Sequence, residues 1–437
     1  MTNRTFLIAL ALLLLLTPPF ITAETVSIGN PTHYCEPFAL HYSEQSQSDI
    51  LVLDSGVEIH FPHELVLHLE AQSTSDIIDA RLHYQVNKMN YAEVTSENWP
   101  AFTPAARIKT SWTWDMRRAS LPPGAEVTYW WTIQDKDGNR IETSPNTVHF
   151  DDNRHQWQSL TTSGFNESGK LTLFWYQGDD VFAQELMDTC NKGLARLARD
   201  IGVYPESPVK IYIYASSSDL RGAMIFPMEW TGGVAFTEFG IIAIGVSPGQ
   251  LDWGKRALVH ELTHLVVHQA TFSPYGRLPI WLDEGLAMYN EGEASAYLQS
   301  CLRKAISEDK LISVRSLCSP FPADPEKAYI SYAESYSLVK YLLDNYGQDK
   351  MLDLLTLFKQ GNTYDEALTQ VYGFDIEGLH ARWRETLASS TIIASEAKQS
   401  HPALIAVLSA LATALALAGA LALEERTWRD HARKSVR

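Results

Sequence analysis

The stretch Val259-His260-Glu261-Leu262-Thr263-His264-Leu265 restricts this chain more than any other. Histidines four residues apart on a helix stand one above the other on the same face, so His260 and His264 can both reach one metal ion. Glu261 is turned about 100° from His260 around the helix, which brings its carboxylate to the edge of such a site. A general base for a water molecule belongs there. His268 extends the stripe, but it lies about 12 Å along the axis from His260, too far for both to hold one ion through bonds of roughly 2 Å. It is expected at the surface or in support of the site.

The 437 residues, 45% hydrophobic and 20% charged, suffice for two or three domains with cores of their own. With 35 basic against 52 acidic side chains the formal charge is −17, which repels phosphate backbones. Nucleic acid is therefore not an expected partner.

The two ends read as targeting and anchoring segments. Residues 1–23 carry Arg4, an apolar run from Phe6 to Leu16, Pro18-Pro19 and a small residue at Ala23, the pattern of a secretory signal peptide. Residues 403–423 are apolar without a charge and are long enough for a transmembrane helix. Arg426, Arg429, Arg433, Lys434 and Arg437 follow in a basic tail, 424–437, which points to a cytoplasmic C-terminus. The expectation is a single-pass protein of the plasma (cell) membrane, its body extracytoplasmic, with residues 389–402 as linker.

Residues 24–155 have the period of strands. Leu82, Tyr84 and Val86 alternate with Arg81, His83 and Gln85, and Val127, Tyr129, Trp131 and Ile133 form a second such run. Asp137-Gly138 reads as a hairpin turn rather than a calcium loop. The section resembles an immunoglobulin or fibronectin type III domain, so an all-β sandwich is expected, without chemistry of its own. Residues 156–388 alternate strands with longer helical segments: strands at 171–176, 209–214, 231–236 and 241–246, and a helix over 181–201. This part is expected to be α+β, with the histidine-bearing helix packed on a mostly β layer.

After that helix comes Pro279-Ile280-Trp281-Leu282-Asp283-Glu284-Gly285-Leu286-Ala287. Together with His260 to His264 it resembles the gluzincin zinc metallopeptidases, in particular the peptidase MA-like families related to M1 aminopeptidases and thermolysin. The resemblance implies a zincin-like fold, one Zn2+ ion, a peptide or protein substrate, and Glu284 as third metal ligand beside His260 and His264. Nineteen residues separate His264 from Glu284, one more than in the M1 pattern, and this leaves Asp283 as an alternative ligand. Glu261 is then the general base of a zinc-activated water. The segment Tyr332-Ala333-Glu334-Ser335-Tyr336 resembles a YxxSY block of these families, which makes Tyr336 the first candidate for donor to the oxyanion and Tyr332 the second. Gly232-Gly233-Val234-Ala235 resembles the edge strand on which gluzincins pair an extended substrate. No acid matching the M1 amino-terminus anchor stands there, which favours an endopeptidase. Glu238 keeps an aminopeptidase open.

Of the four cysteines, Cys301 and Cys318 are expected to bridge and Cys190 to be a buried thiol, with Cys35 left over. Asn166-Glu167-Ser168 is a formal glycosylation acceptor. A reading from another class, a catalytically inactive surface binding protein with a relic peptidase domain, predicts loss of Glu261, which is present.

Overall fold

The computed structural model describes residues 49–162, 169–228 and 231–389. The expected signal peptide, membrane span and basic tail lie outside the described residues, as do Cys35 and the Asn166 acceptor. Among the described residues no helix is long and apolar enough to cross a membrane.

Seven strands come first: β1 (Leu51–His60), β2 (Glu64–Val86), β3 (Ser96–Asn98), β4 (Ala105–Asp115), β5 (Ala125–Asp135), β6 (Arg140–Glu142) and β7 (Asn146–Phe150). Backbone hydrogen bonds join them all into one network. The reason is the length of β2. Its first half pairs with β1 and β4, its register shifts between Gln72 and Ile77, and its second half pairs with β3 and β5. The two alternating runs noted in the sequence are cross-strand partners, Leu82 opposite Trp131 and Tyr84 opposite Tyr129. Inward residues Leu65, Leu67, Leu69, Leu82, Val127, Trp131 and Ile133 are fully buried. The Asp137-Gly138 turn does join β5 to β6, and Asp135 organises it by accepting from Asp137 N, Asn139 N, Asn139 Nδ2 and Ser73 Oγ.

The second part contains β8 (Gln158–Thr162), β9 (Leu171–Trp175), α1 (Asp180–Asp200), β10 (Val209–Tyr214), α2 (Ser217–Gly222), β11 (Gly233–Phe236) and β12 (Ile241–Gly245). The helices α3 (Leu251–Ala270), α4 (Ile280–Glu291), α5 (Ala296–Ser307), α6 (Pro325–Lys359) and α7 (Tyr364–Tyr372) follow, then helical residues 376–389. The strands form a five-stranded sheet in the order β11-β12-β10-β9-β8, with both outer strands antiparallel to their neighbours. One face, with Leu173, Ile211, Ile213, Ile242 and Ile244, shares a core with α1, α3 and α6. The other, with Tyr212, Tyr214, Ile241 and Ala243, shares a core with the first sheet. That double cover explains why every residue of β12 is buried.

No polar linker separates the two parts near residue 155. Asp152 is fully buried there, paired with Arg154 at 2.7 Å and accepting from the Tyr214 hydroxyl at 3.1 Å. The expected Cys301–Cys318 bridge is not formed, and both are free thiols. Cys301 lies beside Tyr297 on α5, whereas Cys318 donates to the Val314 carbonyl at 3.5 Å, so the two sit in different surroundings. Cys190 is a buried thiol, pushed up to about 12 by burial.

Candidate metal centre

Helix α3 is held by its apolar side, where Leu258, Leu262, Leu265 and Val266 are fully buried. A Cβ on Gly254 would lie 2.2 Å from a Val246 methyl, so that glycine allows the helix to sit close to the end of β12. With this face fixed, His260, His264 and His268 are presented on the side that α4 crosses. Helix α4 approaches α6 equally closely, since a Cβ on Gly285 would lie 2.5 Å from the Ser335 carbonyl oxygen. Glu284, next to that contact, is thereby pressed toward the histidines.

The result is a triangle of three ligand atoms. His260 Nε2 and His264 Nε2 are 3.1 Å apart, and Glu284 Oε2 stands 3.4 Å from the first and 3.6 Å from the second. Tetrahedral zinc with bonds of about 2.0–2.1 Å requires edges of about 3.3–3.4 Å. Glu284 Oε2 is cut off from solvent and has no hydrogen-bond partner among the described residues. A buried carboxylate oxygen left without a donor and facing two imidazole nitrogens fits a cation. The residues present therefore fit the zinc ion implied by the sequence.

The outer nitrogens of both histidines are occupied. His260 Nδ1 meets Glu291 Oε1 at 2.8 Å, and His264 Nδ1 meets Asp283 Oδ1 at 2.9 Å. Carboxylates at Nδ1 hold that nitrogen as the donor and turn the Nε2 lone pairs inward. Asp283, the alternative ligand, is thus an orienting group, and its second oxygen meets His268 Nε2 at 3.0 Å. Sequence reasoning missed Glu291, although it lies seven residues after Glu284 and so on the same face of α4.

The charges of these side chains act strongly on one another. Burial opposes protonation of His260, but Glu284 and Glu291 outweigh it and raise the imidazole to about 9. His264 is raised by Asp283 and Glu284, again against its burial. Burial works to raise Glu284, and the two histidines overcome it and bring the carboxyl down to about 2. Glu261 goes the other way, because burial raises it more than the histidine charges lower it.

Glu261 stands between the triangle and β11. The Ala235 backbone N–H bonds its carboxylate, and Gly233 passes so close that a Cβ there would lie 3.0 Å from Glu261 Oε1. β11 is an outer strand of its sheet, pairing with β12 on one side. Of the four residues singled out as a substrate strand, Gly233, Val234 and Ala235 lie within β11, and Gly232 precedes it against Trp253.

The two candidate tyrosines have different surroundings. Tyr336 lines an apolar groove with Leu298, Leu302 and Trp383, its ring 6.4 Å from that of Tyr289. Tyr332, one helical turn earlier, has its phenol raised by burial and then by the negative charges of Glu284, Glu261 and Glu291. Its phenol therefore lies within reach of the charges of the centre, with its ring packed edge-on against Phe321 at 5.1 Å.

Residues 189–389, from within α1 to the last described helix, match the family model described as Peptidase MA superfamily. That match covers the elements that carry the triangle and supports a zincin-like peptidase domain over this part of the chain. No curated protein matches the chain. Among solved structures, the M1 zinc metallopeptidase from Deinococcus radiodurans is similar at 12% identity and a TM-score of 0.35, over 77% of this chain and 94% of its own. A bromine derivative of BhCBM56 aligns at 15% identity and a TM-score of 0.17, over 22% of this chain and 88% of that one. OgpA from Akkermansia muciniphila aligns at 13% identity and a TM-score of 0.19, over 24% of this chain. The aligned part spans 28% of the length of OgpA.

Proposed function

We propose that this protein is a zinc-dependent metallopeptidase that hydrolyses peptide bonds, held at the outer surface of the plasma membrane by residues 403–423. The observation that carries this reading is the unsatisfied Glu284 Oε2 facing the Nε2 atoms of His260 and His264, with Glu261 beside them and against an outer strand. His260, His264 and Glu284 would hold the ion, with Asp283 and Glu291 fixing the imidazoles. When bound, zinc supplies Lewis acidity that makes water a nucleophile near neutral pH and polarises a carbonyl.

The remaining work falls to side chains. An extended peptide adds to β11 through backbone hydrogen bonds, which places one of its carbonyls over Glu261. Glu261, whose raised affinity for protons suits a base, takes a proton from the attacking water and delivers it to the leaving amide nitrogen as the C–N bond breaks. The Tyr332 hydroxyl donates to the oxygen on which negative charge develops. Glu238 is engaged with Lys88 at 2.9 Å, and β11 itself carries no acid to anchor a free amino terminus. This favours cleavage within chains.

The test is zinc content and peptidase activity of the wild type and of Glu261→Gln on an unbiased peptide library. The expected result is one zinc per chain in both proteins, with activity falling by about 10²–10⁴ in the variant. Equal activity in the two proteins, or a wild type without zinc, rejects the proposal.

A further inference from the structure

β11 and α3 run side by side in the same direction, and this gives the cleft two distinguishable ends. The start of β11 lies by the first turns of the helix, where a Cβ on Gly232 would be 2.9 Å from the Trp253 ring. Beyond its end, the turn Thr237–Phe239 lies by the last turns, where Thr237 and Glu238 line one cavity together with His268 and Thr271. That cavity measures about 560 Å³, within the range of ligand pockets. His268 links it to the metal centre through Asp283.

Two separate parts of the chain build its walls. From the first sheet, a strap of residues 87–94 reaches across, held by the Met89 N–H donating to the Glu238 carbonyl at 2.7 Å and by the Lys88–Glu238 pair. From the second part comes the α3–α4 connection with Phe272, Tyr275 and Arg277. The Tyr91 and Phe272 rings stack at 4.3 Å and 5°, closing the gap between the two walls. Tyr91 and Tyr275 remain 54% and 81% exposed, so large rings are held in water at the mouth. Glu238 and the exposed Arg277 both line the cavity, so its rim carries charges of both signs.

We propose that this cavity receives an aromatic side chain of the peptide, from a residue on the N-terminal side of the bond that is cut. The inference rests on the peptidase reading for its direction. A peptide paired antiparallel with β11, the more stable pairing per residue, has its earlier residues at this end, and alternate side chains point toward the protein. A guest ring removes Tyr91, Phe272 and Tyr275 surface from water and stacks against it. The strap thereby gives the first sheet a part in substrate choice.

The test uses full-length, zinc-loaded Glu261→Gln protein and fluorescently labelled peptides carrying Phe, Ala or Lys at each of three positions before a fixed central bond. Phe at one position is expected to bind about tenfold more tightly than Ala or Lys. In the Tyr91→Ala background the Phe-to-Ala ratio should fall close to one, while Tyr91→Phe, which keeps the stacked ring, should preserve it. Equal binding of Phe and Ala peptides at every position, no binding by any of them, or a ratio that survives Tyr91→Ala overturns the proposal. Cleavage of the same peptides by the wild type is scored separately. A Phe preference without any cleavage rejects the peptidase reading and leaves the aromatic pocket standing.

Discussion

Asp135 in the first sheet and Glu284 in the metal centre are carboxylates withdrawn from water in opposite ways. Asp135 is completely buried, and both its oxygens accept from donors that the turn itself and Ser73 supply. Asn139 and Ser73 accordingly hold its carboxyl below the usual range in spite of burial. Glu284 Oε2 has no such donor and is left facing two nitrogens. One carboxylate is closed by its own fold, and the other keeps an oxygen that the described residues leave without a donor. Burial alone does not separate a structural acid from a ligand, but hydrogen-bond satisfaction does.

The sharpest way to break this comparison is Glu284→Ala. It should abolish zinc binding and peptidase activity together, measured by metal analysis after dialysis, and a variant that keeps one zinc per chain removes Glu284 from the ligand set. Next in size, Tyr332→Phe should lower kcat by about 10²–10³ with zinc content unchanged, as expected for loss of an oxyanion donor. Tyr336→Phe should stay close to wild type, and the reverse order of the two would restore Tyr336. Asp283→Asn should weaken zinc affinity by about 10–100-fold by releasing the orientation of His264. Competition with a chelator measures this, and unaltered affinity would leave Asp283 with no orienting role.

Two smaller effects concern groups the fold satisfies by itself. Asp135→Ala strands the N–H groups of Asp137 and Asn139, so it should lower the melting midpoint by several degrees without changing zinc stoichiometry. A parallel loss of zinc would show that the two regions are not independent in this respect. Glu334, fully buried in α6 with the Ile312 N–H as its one donor among the described residues, is raised by burial from 4.5 to about 8. Its folded form holds the proton more tightly than the unfolded chain, so stability falls as pH rises from about 4.5 through about 8. Glu334→Gln should therefore melt higher than wild type above pH 8 and show little difference near pH 4.5. Melts across that range that run parallel would contradict the buried-acid assignment.

Much of the site was legible because its spacing is local. A four-residue interval on a helix fixes which side chains share a face, so His260, His264 and the offset of Glu261 followed from periodicity. The strands at Leu171–Trp175, Val209–Tyr214 and Ile241–Gly245 were visible for a similar reason, as short apolar runs rich in β-branched and aromatic residues. Three things were not visible. Tyr332 and Tyr336 are one turn apart on α6, and which of them comes within reach of the charge of Glu284 depends on how that helix is rotated against α4. The division of labour between Asp283 and Glu284 depends on which carboxylate lies over the Nε2 atoms. The strand pairing of the first region was the third, because β2 takes different partners on either side of its bulge, a choice made between distant strands.

The sequence by itself determined the helix that sets His260 and His264 on one face with Glu261 beside them, and the separation into a β-rich and an α+β part, consequences of periods of two and 3.6 residues, while the outer-strand segment came from the family resemblance. Only the tertiary structure decided that Glu284 Oε2 closes the triangle, that Asp283 and Glu291 hold the imidazoles, that Tyr332 lies within reach of the charges of the centre, and that the strap at residues 87–94 walls one end of the cleft. Those decisions required helices and sheets remote in sequence to be packed at fixed distances, and close approaches such as Gly285 against Ser335 set those distances.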